Sequence, residues 1–301
     1  MININFFKKI RLLDGGMGQE LLARGMEPNS TLWSANAILN EEYHQLVLDT
    51  HIDFIKAGSE IIVTTTFATR KKRLKENNLQ DKFEYLNKKA GEIAVAAKKK
   101  FPNVFIAGGL PPQNLTYEAD ERDKNEIVEN FKDQARALNP YVDFFYFDVW
   151  SSVKEVECGI EAIKEFKKPY LVGIHISEGT NLPSGENISN LKKIINDKAL
   201  GVILSCVSPE NFEKNLIELK NLNVPFGFKL NGFITTKIEG GYTSVFLGKK
   251  SNPNEFLGKR KDLTPDKIAQ IAKKFKDAGA TILGGCCETT PSHIEAIARI
   301  K

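Results

Sequence analysis

Ala280-Thr281-Ile282-Leu283-Gly284-Gly285-Cys286-Cys287-Glu288-Thr289-Thr290-Pro291 runs close to the C-terminus. A short apolar run ends in two glycines, two adjacent cysteines follow, and Thr290-Pro291 opens a helix. The pattern reads as a buried strand that breaks at its C-terminal end and displays two thiols there. Neighbouring residues of a regular strand point to opposite faces, so the two thiols meet at one point only if the backbone bends. Gly284 and Gly285 are expected to supply that bend, because glycine adopts dihedrals that other residues avoid. Upstream, Leu200-Gly201-Val202-Ile203-Leu204-Ser205 is another apolar run, and it ends in Cys206. Three thiolates with an open fourth position suit a catalytic zinc ion, which favours tetrahedral sulfur and nitrogen ligation. Such a site would hold a small thiol substrate over the metal.

Working outward, the same strand-then-helix unit recurs along the chain. Ile10 to Leu13 reads as a first strand. It opens into Asp14-Gly15-Gly16-Met17-Gly18 and a helix from Gln19 to Arg24. Asn40, a plausible N-cap, starts a helix that Gly58 ends. Glu60 to Phe67 is β-branched and nearly unbroken by polar residues until its threonines, as expected of a strand covered on both faces. Further strands are expected at Val104–Leu110, Tyr141–Val149, Tyr170–Ile176, Gly201–Cys206 and Pro225–Leu230. Helices are expected at Leu79–Lys100, Glu121–Leu138, Ser151–Phe166, Glu186–Asp197, Pro209–Leu222, Thr264–Ala278 and Pro291–Ile300, with Pro265 in the first turn of its helix and Gly279 closing it.

Eight strands with intervening helices in 301 residues predict an α/β fold, a single (β/α)8 TIM barrel, over an open doubly wound sheet. No composition break or Pro/Ser-rich linker divides the chain, so residues 1–301 are read as one domain. Barrel active sites lie at the C-terminal ends of the strands. Asp14, Gly15, Gly16, Thr65, Thr66, Asp148, Cys206, Asn231, Cys286 and Cys287 all fall at such ends. The long irregular insertion Thr235–Lys261 would sit over the same face. His175, inside a strand, reads as a satisfied interior histidine, and Cys158, inside a helix, as a small core residue.

The Asp14-Gly15-Gly16 turn has two readings. Bare glycine amides before a helix N-terminus can take a carboxylate, and Asp14 beside them is an acceptor. Together they could hold both ends of an amino acid. Equally, the turn could be only a tight strand–helix connection.

Composition narrows the classes. The formal net charge is only +4 and charged residues make up 27% of the chain, with lysines scattered among acids. Nothing there calls for a nucleic-acid or membrane partner. No apolar run approaches the roughly 20 residues of a membrane span, and Met1 to Arg11 lacks a signal-peptide cleavage pattern. Four cysteines, two of them adjacent, do not form a secreted disulfide framework, so a reducing cytoplasm is expected.

These blocks resemble the homocysteine S-methyltransferase family from about Leu12 to Ile300. The resemblance rests on Leu13-Asp14-Gly15-Gly16-Met17-Gly18 with Glu20-Leu21 and Arg24-Gly25, on Leu32-Trp33-Ser34 and Ala57-Gly58, on Gly201 to Cys206 with Glu210-Asn211, and on Ala278-Gly279-Ala280 through Gly284-Gly285-Cys286-Cys287 with Thr290-Pro291. It implies methyl transfer from an onium donor or a folate to homocysteine, giving methionine. It implies that Cys206, Cys286 and Cys287 bind zinc, that Asp14 takes the homocysteine ammonium, and that the Gly15 and Gly16 amides take its carboxylate. Asp148 stands where the family usually has a glutamate. Asp14 and Asp148 are therefore the catalytic candidates, with Thr66, Trp33 and Asn231 as further substrate contacts. Ala68 stands where betaine-using relatives carry a tyrosine, and an aromatic face stabilises a quaternary ammonium. The layout is closer to the S-methylmethionine-using members. Trp33 either faces the onium or is a packed indole. The alternative function is a non-catalytic zinc or redox-sensing barrel built on the Cys286–Cys287 pair.

Overall fold

The computed structural model describes residues 2–237, 252 and 254–301. Eight short runs pair side by side as parallel strands: β1 (Arg11–Leu12), β2 (Ile61–Val63), β3 (Phe105–Leu110), β4 (Phe144–Trp150), β5 (Tyr170–Ile174), β6 (Ala199–Val207), β7 (Phe226–Leu230) and β8 (Ile282–Gly285). The spatial order is β1-β8-β7-β6-β5-β4-β3-β2, every pairing is parallel, and a bridge between Leu13 and Ile61 joins the two remaining edges. The sheet therefore closes on itself as a (β/α)8 barrel. β-branched and aromatic residues dominate the strands, and nearly all are buried, as required when one face meets the barrel interior and the other the helices.

The helices are α1 (Ile4–Phe7), α2 (Met17–Ala23), α3 (Ala35–Leu39), α4 (His44–Lys56), α5 (Lys71–Glu76), α6 (Phe83–Lys100), α7 (Lys124–Leu138), α8 (Val153–Ile163), α9 (Pro209–Lys214), α10 (Leu216–Asn221), α11 (Pro265–Asp277) and α12 (Pro291–Ala298). Between sheet and helices, Trp150 stacks on Phe147 and Phe131 at 4.1 and 4.2 Å. α1 was not expected from the sequence. It closes the N-terminal end of the barrel, with Phe7 against Phe144 at 5.9 Å and Phe6 against Phe105 at 4.8 Å. None of the helices among the described residues is long and apolar enough to cross a membrane.

Several local expectations are corrected. The stretch 186–197 forms only a 3₁₀ turn at Ile188–Lys193, because Asn187 caps the Ser189 amide and Asn/Ser side chains compete for the backbone. The helix expected at 209–222 is two, α9 and α10. They meet at Asn215, whose side chain donates to Asn211 and Gly179 carbonyls. Asn40 does not cap with its side chain but donates back to Asn36. β2 stops at Val63. Past it the Thr66 amide turns back onto the Thr64 carbonyl, and the Thr64 hydroxyl takes the Gly109 amide.

Gly284 and Gly285 stay within β8 and neither takes a positive φ. They are small for packing instead. A Cβ on Gly285 would lie 2.2 Å from the Thr289 hydroxyl oxygen, and one on Gly284 2.9 Å from Leu13 Cβ. The left-handed backbone falls on Val149, Cys206 and Glu288 (φ +67°, +52° and +62°).

Candidate metal and thiol site at the open end of the barrel

Cys206 is the last residue but one of β6, and Cys286 and Cys287 follow β8. All three thiols are free, and their sulfurs lie within 4.8 Å of one another. Cys206 and Cys287 sulfurs are 3.9 Å apart. A tetrahedral ion with bonds of about 2.3 Å needs sulfurs about 3.8 Å apart, so three soft donors at this spacing form one face of such a shell. The residues present therefore fit a metal ion.

Strained backbone aims these sulfurs. A left-handed non-glycine residue costs of order 1–3 kcal/mol and persists only where its surroundings hold it. At Cys206 the holding group is Asn231, whose amide nitrogen donates to the Cys206 carbonyl and lies 3.7 Å from its sulfur. The β6–β7 register shifts between Ser205 and Val207, and the β4–β5 register shifts between Phe147 and Trp150. The two bulges place Cys206 and Asp148 at the same mouth, as bulges at barrel rims do.

Burial works against ionising Cys206, but hydrogen bonds from the other two thiols and from Tyr117 outweigh it and hold this thiol well below its usual range. Cys286 and Cys287 are pushed up, first by hydrogen bonding to Cys206. The Tyr117 hydroxyl lies 3.1 Å from Cys206 Sγ, and its ring packs 4.3 Å from that of His175. His175 itself is buried and bonded to the Ser205 carbonyl and the Ser177 hydroxyl, which bears out its reading as a satisfied interior residue.

Below the sulfurs lies a charged floor. Asp14 Oδ1 is 2.8 Å from Lys229 Nζ, and its Oδ2 accepts from the Val63 amide at 2.7 Å. Both side chains are almost wholly buried. The Lys229 stem crosses Gly284, where a Cβ would sit 3.3 Å from Lys229 Cγ. Asp148 is raised to about 7. Burial is the main cause, Lys229 pulls the other way, and Cys286 adds to the rise. Tyr146 and Ser205 share a hydrogen bond at the same level.

Asp14, Gly15, Gly16, Trp33, Asp148, Cys206, Cys286 and Cys287 all line one cavity of about 890 Å³, its open mouth included. Met17, Phe67, Ala68 and Val149 give it apolar walls. Leu257, from the far end of the 235–261 insertion, is buried with Cys206, Val149 and Phe233. Asn254 and Leu257 bring the described part of the insertion to this face, and residues 238–251 and 253 lie outside those described. Trp33 borders the cavity and also packs on Gly18, where a Cβ would come within 2.4 Å of the indole.

Two candidates are corrected. Thr66 does not border the cavity. It is wholly buried and donates to the Gly109 carbonyl at 2.7 Å, because the chain turns inward after Val63. Asn231 does not border it either, since its side chain is committed to the Cys206 carbonyl and the Phe233 amide. It positions a sulfur. The Gly16 amide donates to the Thr289 carbonyl at 2.8 Å, so it is already engaged. The sequence reading missed Lys229 and Tyr117. Lys229 carried one signal, a lone lysine inside the apolar run Phe226–Leu230. Tyr117 carried none.

A family model described as Homocysteine S-methyltransferase matches residues 11–300. The chain is 27% identical to "Homocysteine S-methyltransferase 1" of Arabidopsis thaliana, with 96% of this chain and 92% of the relative covered. It is 26% identical to "Homocysteine S-methyltransferase 1" of Saccharomyces cerevisiae, with 96% and 93% covered. Among solved structures it resembles the homocysteine methyltransferase MmuM from Escherichia coli in its metallated form. There the TM-score is 0.79 at 20% identity, covering 97% of this chain and 96% of that one, a likeness of fold.

Proposed function

The chain belongs to the homocysteine S-methyltransferase family, a family of methyltransferase enzymes, and from that premise we propose that it moves a methyl group from a small onium donor to the thiol of homocysteine, forming methionine. The observation that carries this reading is the meeting of three free thiols, within 4.8 Å of one another, with a buried carboxylate-bearing floor in one cavity. A bare metal or redox site has no use for charged groups of that kind. S-methylmethionine is the favoured donor and zinc the favoured metal, held by Cys206, Cys286 and Cys287. We place the work in methionine biosynthesis in the cytoplasm, on small molecules without nucleic acid or membrane, with residues 1–301 acting as one domain.

When bound there, zinc supplies the Lewis acidity that ionises a thiol at neutral pH. The chain's own residues do the rest. The floor of Asp14, Asp148 and Lys229 anchors the amino-acid end of the acceptor, so its sulfur points up to the cysteines. Trp33, Phe67, Ala68 and Met17 wall the donor side and exclude water, which favours a spread positive charge next to a thiolate. The acceptor sulfur attacks the methyl carbon as the old carbon–sulfur bond breaks. That bond's electron pair stays on the donor sulfur, which leaves as a neutral thioether. The thiol proton goes to solvent. Holding both partners in line is the main service of the rigid barrel. Asn231 acts through Cys206 rather than on substrate.

The test is methionine formation by zinc-loaded protein given homocysteine. S-methylmethionine, S-adenosylmethionine, glycine betaine and dimethylsulfoniopropionate are offered in parallel, with Cys286→Ala as control. Turnover with S-methylmethionine, lost in the variant, is the expected result. No turnover with any donor, with metal bound, would sink the reading.

A further inference from the structure

Of the handles expected for the acceptor's amino-acid end, Asp14 and the Gly16 amide are already engaged by the protein. Asp14 is bonded to Lys229 and to the Val63 amide, and the Gly16 amide to the Thr289 carbonyl. The other charged groups lining the cavity are Arg73, which donates to the Thr31 carbonyl near Trp33, and Lys229 and Asp148, which lie with Asp14. An ammonium carries three N–H donors and no acceptor. Asp14 takes one of those of Lys229, and the stem, pressed over Gly284 and nearly fully buried, fixes where the others point. Lys229 also lies 5.8 Å from the centre of the Tyr146 ring, which supports the cation from below. With Lys229 offsetting Asp14, Asp148 is the acid that remains for an ammonium. One buried cation and one carboxylate then match the two charges of an α-amino acid.

Resting on the homocysteine reading, we propose that Lys229 is a specificity-determining residue that binds the acceptor's α-carboxylate, while Asp148 takes its ammonium and Asp14 holds Lys229 in place. The acceptor class is thus a thiol carboxylate, and an aminothiol without the carboxylate is rejected. An aminothiol gives the N–H donors of Lys229 that Asp14 does not take no acceptor, and a site built to hydrogen-bond its substrate discriminates strongly against an analogue lacking the partner group.

The test is calorimetric binding of three thiols to the full-length, zinc-loaded protein: L-homocysteine, 4-mercaptobutanoate, which lacks the ammonium, and 3-aminopropane-1-thiol, which lacks the carboxylate. Wild type is expected to bind L-homocysteine at least about tenfold more tightly than the aminothiol. Lys229→Met should weaken both carboxylates by about tenfold or more and change the aminothiol by less than about threefold. Since Lys229→Met leaves Asp14 buried without its cation, the Lys229→Met/Asp14→Asn pair is measured alongside, and it decides if the single variant does not fold. An equal loss on all three thiols, or wild type preferring the aminothiol, would overturn the assignment and leave Lys229 a support for Asp14. If homocysteine binds but is methylated from no donor, while the carboxylate thiols keep their dependence on Lys229, the methyl-transfer reading falls and this assignment stands.

Discussion

The two ends of the barrel are built by opposite rules. At the N-terminal end, α1 lays Phe6 and Phe7 across Phe105 and Phe144 in edge-to-face contacts. Among the described residues of that cap there is no buried charge and no left-handed residue. At the C-terminal end, the chain holds Val149, Cys206 and Glu288 at positive φ, interrupts two strand registers and buries an Asp14–Lys229 pair. Each of these features opposes stability in isolation. One end is optimised for packing, while the other stores strain and charge so that thiols and carboxylates converge. The surrounding barrel, with its aromatic stack around Trp150, keeps the second end in place.

That contrast can be broken from either side. Cys286→Ala should reduce methyl transfer by about 10³-fold or more, since several kcal/mol of charge stabilisation go with the metal. Metal analysis should show its loss, with the melting temperature close to or above that of the metal-free wild type. At the other end, Phe7→Ala should lower stability by about 3–5 kcal/mol through the cavity it leaves, read from denaturant unfolding. KM for homocysteine should not change, and a rise would mean that the two ends are coupled.

The third prediction concerns pH. Glu155, which follows β4 and accepts from the Ser151 amide and Ser152 hydroxyl, is raised to about 8, first by burial. Its folded pKa lies above the unfolded one, so the folded state binds more protons and stability falls as pH rises toward 8. His51 and His175, both lowered to about 4 by burial, act in the opposite sense at lower pH, up to about 6.5. Asp148, raised to about 7, adds a slope of the same sign as that of Glu155 up to about pH 7, so between pH 7 and 8 the Glu155 slope should dominate the unfolding free energy, and Glu155→Gln should reduce it. An unchanged slope would put the titrating group elsewhere. The smallest effect belongs to a surface position. Lys167 is exposed at φ +56° after the 3₁₀ turn at Lys164–Phe166. Lys167→Gly should stabilise the fold by about 0.5–1 kcal/mol and leave activity unchanged, because glycine is at ease where a helix ends left-handed.

Much of this was legible from local patterns. The alternation of apolar runs and helical periodicity predicted eight strands, and Gly58, Pro265 and Gly279 marked helix limits that the structure keeps. Cys206, Cys286 and Cys287 were read as one cluster because each ends an apolar run. Trp33, Asp14 and Asp148 line the cavity. Where the reading failed, side-chain direction was the missing quantity. Thr66 and Asn231 stand at strand ends as expected, yet their hydroxyl and amide turn to backbone carbonyls. The glycine pair was credited with a bend that Cys206 and Glu288 make instead.

The sequence by itself determined what depends on neighbours along the chain: the strands and helices, their parallel arrangement, and the chemistry of three thiols at strand ends. Only the tertiary structure decided which distant groups meet. Lys229 reaches Asp14 across 215 residues and Tyr117 reaches Cys206 across 89. These meetings depend on how the closed sheet staggers its strands and where bulges re-aim side chains. Those quantities arise from packing of the whole barrel, so no short stretch of the chain encodes them.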